Sequence, residues 1–511
     1  MKKTIIFLLV MLVSLGAVFA AGSSEAAATP VAKDSIVIGD TVTFTTLSPF
    51  VQYAATGAST YALYEKLAYV ENGVLVPQLA YEWSTEDEVT YVIKIYDCIY
   101  DSEGNHITAN DVVYSYNMTI ANGITNYVAD IKALDDYTVQ MTLSDPVIGN
   151  FETNIGLASI VSQAAYEKSG DGMATQPISS SIYNVVDFVA GSYVTLAKNE
   201  NYWQKDESKL STLQTGKYKT VKFLSVSEPS QQTIALETGT VDVIECLDET
   251  QVENFVEGGN YADKFTVVPA VGGTVTSLFF SGSSDIIGPD KNLRLAILHA
   301  IDRVGFTYVS TQGLSAPCEM FGNIMAGDAV SYYADEGGYF PYDVELAKKY
   351  LAESNYKGQT LRLLSTTIFE TQNLALQDYL KKVGINIEIN APDLAVYQKN
   401  YRDSTTYDLA FSSNTVNYNS TFWYKQFFNA SGTTRHGWTD AELIEAANLA
   451  NQPENHTPEN VEKFSRLLDD RVYGEGLYIA SRFHVVSNSI QLPETPVILT
   501  LGGYFLPVWA Y

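Results

Sequence analysis

Neutral side chains that can bind a ligand are concentrated between Ser413 and Tyr424, in the sequence SNTVNYNSTFWY. Amides donate and accept hydrogen bonds, and aromatic rings offer flat faces for stacking. This inventory suits a polyhydroxylated ligand; the alternative is that the rings pack beneath the loop, since the chain contains 35 tyrosines. The candidate ligand-binding residues of the segment are Asn414, Asn417, Tyr418, Asn419 and Trp423.

Catalytic patterns are weak by comparison. Neighbouring carboxylates, which secreted glycosidases use in pairs, occur at Asp135–Asp136 and Asp469–Asp470. The chain has 59 acidic residues, so such neighbours arise by chance, and both pairs suit a turn or a solvated helix. The sequence contains no G-x-S-x-G elbow, P-loop or G-x-G-x-x-G motif. We therefore predict a protein that is not an enzyme, with a secreted hydrolase as the alternative from another class.

The cysteines and histidines predict neither a metal site nor a cofactor. Cys98, Cys246 and Cys318 lie far apart without a C-x-x-C pair. Two interpretations stay open: a disulfide between Cys98 and Cys246 in an oxidising compartment, or three buried structural thiols. The five histidines are scattered without ligand spacing, and His299 lies on an apolar helix, where a core position is expected.

Length and charge limit the classes of protein further. With 511 residues, the chain exceeds the roughly 250 to 300 residues that one hydrophobic core serves, so at least two lobes are expected. Hydrophobic residues make up 46% of the chain, which is ample for packed cores. The net charge of −28 repels nucleic acid phosphate and excludes nucleic acid as a partner.

The amino terminus follows the pattern of a secretory signal peptide. A positively charged start precedes an apolar run from Ile5 to Val13 and a small-residue site at Val18–Ala20, which predicts cleavage after Ala20. The alternative, a membrane anchor, requires an apolar run of about 20 residues. No cysteine adjoins the cleavage site for a lipid anchor, and residues 21–34 have the composition of a flexible tether. Removal of residues 1–20 leaves 29 basic and 59 acidic residues, a charge of −30, and predicts a soluble periplasmic protein.

From Ser35 onward, short runs of β-branched residues alternate with helical patterns, which is typical of an α/β protein. The predicted strands are Ser35–Gly39, Tyr91–Ile95, Tyr137–Leu143, Tyr193–Leu196, Lys219–Leu224, Ser277–Ser281 and Ile385–Ile389. The predicted helices are Thr60–Leu67, Gln231–Asp242, Asn292–Arg303, a segment from Asp343 to Gly358, and Asn373–Val383. In the segment Val76–Tyr116, Gly104 predicts a turn with positive φ, and Thr108 with Asp111 predicts a capping box.

This segment, VPQLAYEWSTEDEVTYVIKIYDCIYDSEGNHITANDVVYSY, resembles the signature of family 5 of the extracellular solute-binding proteins, the oligopeptide, dipeptide and nickel receptors of ABC importers. Further motifs similar to the family's, in the family's order, are Leu63–Leu67 (LYEKL), Asn199–Trp203 (NENYW), Leu236–Asp242 (LETGTVD) and Asn292–Arg303 (NLRLAILHAIDR).

The resemblance implies a two-lobed periplasmic-binding-protein fold with hinge-linked lobes that engulf a ligand. Lobe I would comprise residues 35–270 and 487–511, with an extra subdomain at about 66–184, and lobe II residues 271–486. The function implied is the solute-binding component of an ABC importer, which captures an oligopeptide and delivers it to permease subunits in the membrane. We expect a monomer without cofactors; a sensor without an uptake function is a further alternative.

Two departures from the family concern the ligand. Peptide-binding relatives hold the ligand's ammonium with an aspartate in a loop where this chain has Asn417, and Asn414 replaces a tryptophan there. An amide cannot neutralise an ammonium ion. Dipeptide receptors use an arginine in the loop that corresponds to Ser365–Thr371, which contains no base. An oligosaccharide is therefore the alternative ligand, and Thr45 and Thr46 complete the candidate ligand-binding residues.

Overall fold

The β-structure of the protein consists of one long mixed sheet, a four-stranded sheet and a hairpin. The computed structural model describes residues 33–41, 43–51, 58–72, 74–125, 127–144, 149–247, 249–318, 340–415, 435–499 and 505–511. The strands are, in chain order, β1 (Ser35–Asp40), β2 (Ala68–Glu71), β3 (Val74–Pro77), β4 (Ala80–Thr85), β5 (Thr90–Ile95), β6 (Val128–Asp135), β7 (Thr138–Leu143), β8 (Tyr183–Val189), β9 (Tyr193–Lys198), β10 (Thr220–Ser225), β11 (Val243–Leu247), β12 (Phe265–Phe280), β13 (Ala316–Pro317), β14 (Thr360–Leu364), β15 (Asn386–Asn390), β16 (Leu409–Thr415) and β17 (Gly474–Ser487).

Helices lie between these strands, as the alternating pattern predicts. They are, in chain order, α1 (Ser59–Leu63), α2 (Ala109–Ala121), α3 (Asn150–Ile155), α4 (Gln163–Ser169), α5 (Pro229–Glu237), α6 (Glu249–Val252), α7 (Lys291–Ala300), α8 (Arg303–Thr311), α9 (Val344–Glu353), α10 (Glu370–Val383), α11 (Leu394–Tyr401), α12 (Ala441–Ala450) and α13 (Pro458–Arg471). Among the described residues, none of these helices has the length and hydropathy needed to cross a membrane.

The long sheet contains two groups of parallel strands joined by two antiparallel ones. Its order is β15-β14-β16-β12-β17-β11-β1-β10-β9-β8, with β13 paired to β17. Strand β1 is parallel to β10 and β11, and β14 is parallel to β15 and β16. Strands β12 and β17 pair along almost their whole length and connect the two groups.

Each group of parallel strands has its own hydrophobic core. The first core includes Ile38, Phe223 and, from the end of the chain, the fully buried Trp509. The second includes Leu278, Ile297 and Leu363. The protein thus has the two-lobed α/β fold that the sequence predicts, with lobe I around the first core and lobe II around the second. The exact lobe boundaries stay a prediction.

The four-stranded sheet, ordered β4-β5-β7-β6, lies within the range expected for the extra subdomain. Helix α2 covers it and buries Val112 and Tyr116 in the first core. Thr108 and Asp111 form the predicted capping box at its start. Gly104 has a φ of 86° in the preceding turn, as predicted.

A buried carboxylate connects two of the sequence motifs in lobe I. Glu65, from LYEKL, accepts hydrogen bonds from the hydroxyl of Tyr202 and from Trp203 Nε1 at 2.8 Å, both from NENYW. Gln214 Nε2 donates to the same carboxylate at 2.8 Å. Burial raises the pKa of Glu65, and these hydrogen bonds act in the opposite direction. The two motifs therefore meet as a structural hub, which we call the Glu65 hub.

A buried guanidinium has the corresponding role in lobe II. Arg294, in the centre of α7, is 5% exposed. Its nitrogens donate to the carbonyls of Val472 at 2.9 Å, Ile287 at 2.9 Å and Gly288 at 2.7 Å. Its guanidinium also lies 4.8 Å from the ring centre of Trp438. The motif NLRLAILHAIDR thus fixes the helix to the loops around it.

Several predicted elements have different ends in the structure. Helix α1 stops at Leu63 rather than Leu67, because Tyr64 is extended with φ −135° and ψ 136°. Helix α7 ends at Ala300, and Asp302 caps a separate helix, α8. Helix α9 begins after its predicted cap Asp343 but ends at Glu353, short of Gly358. Helix α10 ends at Val383 and is terminated by Gly384, as predicted, with φ 94°.

Neither interpretation of the cysteines is correct as a whole. None of the three, all of which lie in the described residues, forms a disulfide. Cys318 is buried, but Cys98 is exposed and Cys246 is half-buried, so the prediction of three buried thiols is wrong. Cys98 follows the end of β5 in a turn, where no core element covers it.

Candidate functional site

The carboxyl ends of the two parallel groups face each other across the middle of β17. Leu247, the last residue of β11, pairs with Phe483 of β17. Thr415, the last residue of β16, pairs with Thr274 of β12, which in turn pairs with Ala480 of β17. Because β11 is antiparallel to β17 while β16 runs parallel to it, the two groups point toward each other. Three residue steps of β17, about 10 Å, separate their ends.

The order in which the strands are added indicates this place as a candidate binding site. After β1 the chain adds β10 on one side of it and β11 on the other, and after β14 it adds β15 and then β16 in the same manner. In open α/β sheets, ligands bind beyond the carboxyl ends of the strands at such a switch point. We call the space between the ends of β1 and β11 in lobe I and of β14 and β16 in lobe II the interlobe gap.

Strand β12 has an irregularity at the level of the gap. Val271 pairs with Ser481, but the next pair along β12 joins Thr274 to Ala480, so Gly272 and Gly273 are additional residues in the ladder. A bulge of this kind interrupts pairing and bends the strand. Two glycines allow a wide range of backbone angles there. The ladder that connects the lobes is therefore interrupted beside the candidate site.

On the lobe I side, two acidic residues lie at or near the carboxyl ends of adjacent parallel strands. Asp40 of β1 is paired in register with Glu245 of β11. Glu245 and Cys246 together lie opposite the one residue His484 of β17, because the ladder shifts between Ile244 and Leu247. Cys246 adopts a φ of 54°, which accommodates this second bulge. The bulge changes the direction of the end of β11. Both acidic side chains are buried.

Glu245 is a carboxylic acid in an unusual environment. It is 1% exposed, and neither of its side-chain oxygens has a hydrogen-bond partner in the described part of the chain. Burial raises the pKa of Glu245 well above its usual value, and the neighbouring Asp40 carboxylate raises this pKa further. A buried charge without a partner is strongly unfavourable, so the empty site favours a protonated Glu245.

A basic residue reaches the gap from β17. Arg482 is exposed and lies between Phe483 and Ser481, which is within the three residue steps that separate the strand ends. Burial raises the pKa of the Cys246 thiol to about 12, and the hydrogen bond and charge of Arg482 lower it. A thiol with this pKa is not a reactive nucleophile at neutral pH. The lobe I side of the gap therefore brings together acidic, basic and thiol groups.

On the lobe II side, the polar groups are neutral. Ser365 and Thr366 directly follow β14, and Asn373 lies in the first turns of α10. All three are at most 5% exposed, and Ser365 Oγ, Thr366 Oγ1 and Asn373 Oδ1 have no hydrogen-bond partner within the described residues. Buried polar atoms are normally paired. We call these three side chains, which follow the carboxyl end of β14 in sequence, the neutral wall.

The predicted ligand-binding residues are only partly described. Asn414 lies near the end of β16, where its backbone pairs with Val275 at the gap. Thr45 is exposed beyond the end of β1. Thr46 is half-buried, and its hydroxyl accepts from Ser48 N at 3.2 Å, so it also stabilises the local turn. Asn417, Tyr418, Asn419 and Trp423 lie outside the described residues. The role of all seven in binding stays a prediction.

The sequence analysis missed Asp40, Glu245, Ser365, Thr366 and Asn373. The signal for three of them was present, because Asp40, Glu245 and Ser365 are polar residues at or next to the ends of apolar strands. A polar residue at the carboxyl end of a parallel strand is a common position for a binding residue.

We expect the ligand-free protein to depend on pH through Glu245. Its pKa is higher in the folded than in the unfolded chain, so its contribution to stability is full below the usual pKa of 4.5 and is lost as the pH rises through the folded value. Glu245→Gln removes this titration. Relative to wild type, the variant should therefore gain free energy of unfolding as the pH increases, as measured by urea unfolding across a pH series. An exposed control, Glu86→Gln, should show no such trend, and a pH-independent difference for Glu245→Gln would contradict the assignment.

Known proteins share both the sequence pattern and this fold. A family model for bacterial extracellular solute-binding proteins, family 5 Middle, matches residues 74–435. The periplasmic oligopeptide-binding protein OppA of Escherichia coli (strain K12) is 23% identical over 412 residues, which cover 71% of this chain and 72% of OppA. The oligopeptide-binding protein AliA of Streptococcus pneumoniae is 32% identical over 170 residues, and the match spans only 26% of each chain.

A solved structure agrees with the fold. The oligopeptide-binding protein AppA from Bacillus subtilis, in complex with a nonapeptide, aligns with a TM-score of 0.68 and 16% identity. The alignment covers 90% of this chain and 95% of that protein. Because the family model matches most of the chain and the two-lobed fold agrees with it, the protein belongs to the bacterial extracellular solute-binding proteins of family 5.

Proposed function

We propose that this protein is the solute-binding component of an ABC importer, that it captures an oligopeptide in the interlobe gap, and that it delivers the peptide to permease subunits in the membrane. The observation that carries the proposal is the position of the gap, where the carboxyl ends of two parallel groups of strands converge to about 10 Å beside a glycine bulge. A ligand there contacts both lobes at once.

The neutral wall of lobe II supports a peptide as the ligand. A peptide backbone alternates N–H donors with C=O acceptors, and each of these groups requires a partner when it is buried. Ser365 Oγ and Thr366 Oγ1 can donate or accept, and Asn373 Oδ1 can accept. The relatives OppA, AliA and AppA are named as oligopeptide-binding proteins, which favours a peptide over the oligosaccharide alternative.

The mechanism follows from a hinge equilibrium. A ligand that contacts both lobes stabilises the closed form by the difference between its affinities for the closed and open forms. The bulge at Gly272 and Gly273 interrupts the ladder between β12 and β17 and thus lowers its resistance to this motion. We place the change of lobe near Val271 on β12. The closed form is the state that a permease would recognise.

The proposal includes export to a periplasm and binding of the solute without chemical conversion. The leader at residues 1–20 supports export to a periplasm, although those residues lie outside the described part of the chain. The unreactive Cys246 thiol and the unpaired character of the Glu245 carboxylate support binding without bond cleavage. We expect a monomer that binds one solute molecule and does not convert it to a product.

The test is direct binding to the purified, leader-free protein. Isothermal titration with a pool of random pentapeptides should show saturable binding with no cleavage product, whereas pools of neutral oligosaccharides should produce no heat of binding. Saturable binding of oligosaccharides alone would overturn the peptide assignment. Product formed at catalytic protein concentrations would instead support the hydrolase.

A hydroxyl deletion tests the neutral wall. We expect Ser365→Ala to weaken the binding of the pentapeptide pool by about tenfold, because a buried hydrogen bond contributes about 1 kcal/mol or somewhat more. The matched control is Ser310→Ala in α8, since Ser310 Oγ is also buried without a partner among the described residues but lies within a helix rather than after the end of a parallel strand. Equal affinities for the two variants would remove Ser365 from the site.

A further inference from the structure

The Glu245 carboxyl group is the buried polar group that most clearly lacks a function in the folded chain. Both of its oxygens are without a hydrogen-bond partner among the described residues, and it is 1% exposed at the level of the interlobe gap. A residue that served only to pack the sheet would be apolar at this position. A buried acid beside a second acid can instead bind a cationic group that compensates its negative charge.

The charges around Glu245 are consistent with one incoming cation. The groups on the adjacent elements are Asp40 on β1, Cys246 on β11 and, on β17, Arg482 and His484. On the facing part of β12, Val268 and Ala270 are apolar and buried. With Glu245 protonated, the charges of Asp40 and Arg482 sum to zero, and with both carboxyl groups ionised the three residues sum to −1. Exchange of the Glu245 proton for one cationic group of the ligand would therefore keep the cluster neutral.

The segment from Ser413 to Tyr424 cannot provide this neutralisation, because it contains amides and rings but no carboxylate. The acidic pair at the other side of the gap can. We propose that Glu245, with Asp40 beside it, is the subsite that binds an alkylammonium group of the ligand. This inference rests on the proposed function and specifies its ligand as a cationic peptide end or side chain.

The arrangement explains how a nearly inaccessible acid can bind. Glu245 lies opposite His484 of β17, three residues along β17 from Ser481, where the bulge of β12 begins. Separation of the lobes at the interlobe gap would open a path to this end of β11. When the ammonium group enters, its N–H groups donate to the Glu245 oxygens, and Glu245 releases the proton that it holds in the empty protein. Binding is therefore coupled to proton release.

The experiment uses three pentapeptide pools and three forms of the leader-free protein. The pools are composed of Ala, Gly, Ser, Leu and Phe: one has free amino termini, one is N-acetylated, and one is N-acetylated with a lysine at the second position. The proteins are wild type, Glu245→Gln and the control Glu475→Gln. Glu475 is also 2% exposed with one oxygen unpartnered among the described residues, but it lies at the start of β17 in lobe II.

We expect acetylation to weaken binding to wild type and to Glu475→Gln by about tenfold or more, and to have little effect on Glu245→Gln. The lysine pool distinguishes the sources of the ammonium: restored affinity indicates a side chain, and no restoration indicates the peptide terminus. Calorimetric titration in buffers of different ionisation enthalpy should show proton release when peptide binds to wild type and none when it binds to Glu245→Gln. If that variant does not fold, the measurement on wild type still tests the proposal.

Two results would overturn parts of the argument separately. If wild type binds the free and acetylated pools equally and gains nothing from lysine, or if Glu245→Gln retains the full acetylation penalty, the ammonium subsite is wrong while peptide capture stands. If no pool binds to wild type, the proposed function is wrong and the subsite falls with it.

Discussion

Glu65→Ala should lower the free energy of unfolding by about 4 kcal/mol, because it leaves three buried donors without an acceptor and each such loss costs about 1 to 3 kcal/mol. The donors are the hydroxyl of Tyr202, Trp203 Nε1 and Gln214 Nε2, which belong to segments more than a hundred residues from Glu65 in sequence. The Glu65 hub therefore connects the start of lobe I to its later strands.

Urea unfolding, followed by tryptophan fluorescence, measures this effect directly. Glu65→Gln should give an intermediate loss, since the amide retains one acceptor but places an NH2 group against donors. The exposed Glu86→Ala is the control and should remain within about 0.5 kcal/mol of wild type. A loss below about 1 kcal/mol for Glu65→Ala would show that the carboxylate does not hold these segments together.

The second large expected effect on the free energy of unfolding is that of Arg294→Met in lobe II. The substitution keeps an unbranched apolar side chain but removes the donors to the carbonyls of Val472, Ile287 and Gly288. We expect a loss of about 3 kcal/mol, because three buried acceptors lose a charged donor and the stacking on Trp438 disappears.

Its control lies on the same helix. Lys291→Met at the start of α7 removes an exposed ion pair with Asp470, and such pairs contribute about 0 to 1 kcal/mol. Arg294→Lys should lower the free energy of unfolding nearly as much as Arg294→Met, since one ammonium group cannot donate to three carbonyls that are fixed in different directions. A variant Arg294→Lys with wild-type stability would contradict the proposed clamp.

Most of the fold follows from the sequence because its motifs act locally. The capping box at Thr108 and the glycine turns at Gly104 and Gly384 require only neighbouring residues, and all three are confirmed. Strand β12 shows the limit: its predicted part, Ser277–Ser281, covers only the end of a strand of 16 residues. Its remaining length depends on pairing with β17, some two hundred residues later, and local propensity does not contain that partner.

The site was predictable only in part for a related reason. The amide-rich loop was identified from composition, and most of it lies outside the described residues. The neighbouring acids Asp40 and Glu245 are separated by 205 positions, and only the parallel register of β1 and β11 brings them together. In the sequence, each appears only as an acid at or near the end of an apolar strand. That the two are neighbours becomes evident only when the strand order is known.

The pairing of β12 with β17 also has a consequence for how such receptors diversify. The chain leaves lobe I through one of these strands and returns through the other, and Phe279 faces Gly474 across the ladder. Partners in an antiparallel ladder have Cα atoms about 4.5 to 5.5 Å apart. The intervening segment is thus an insertion with adjacent ends, so a short turn could replace it, or a homologous cassette could be exchanged for it, without displacing the remainder. Specificity on one side of the ligand could change by such an exchange while the other side is inherited unchanged.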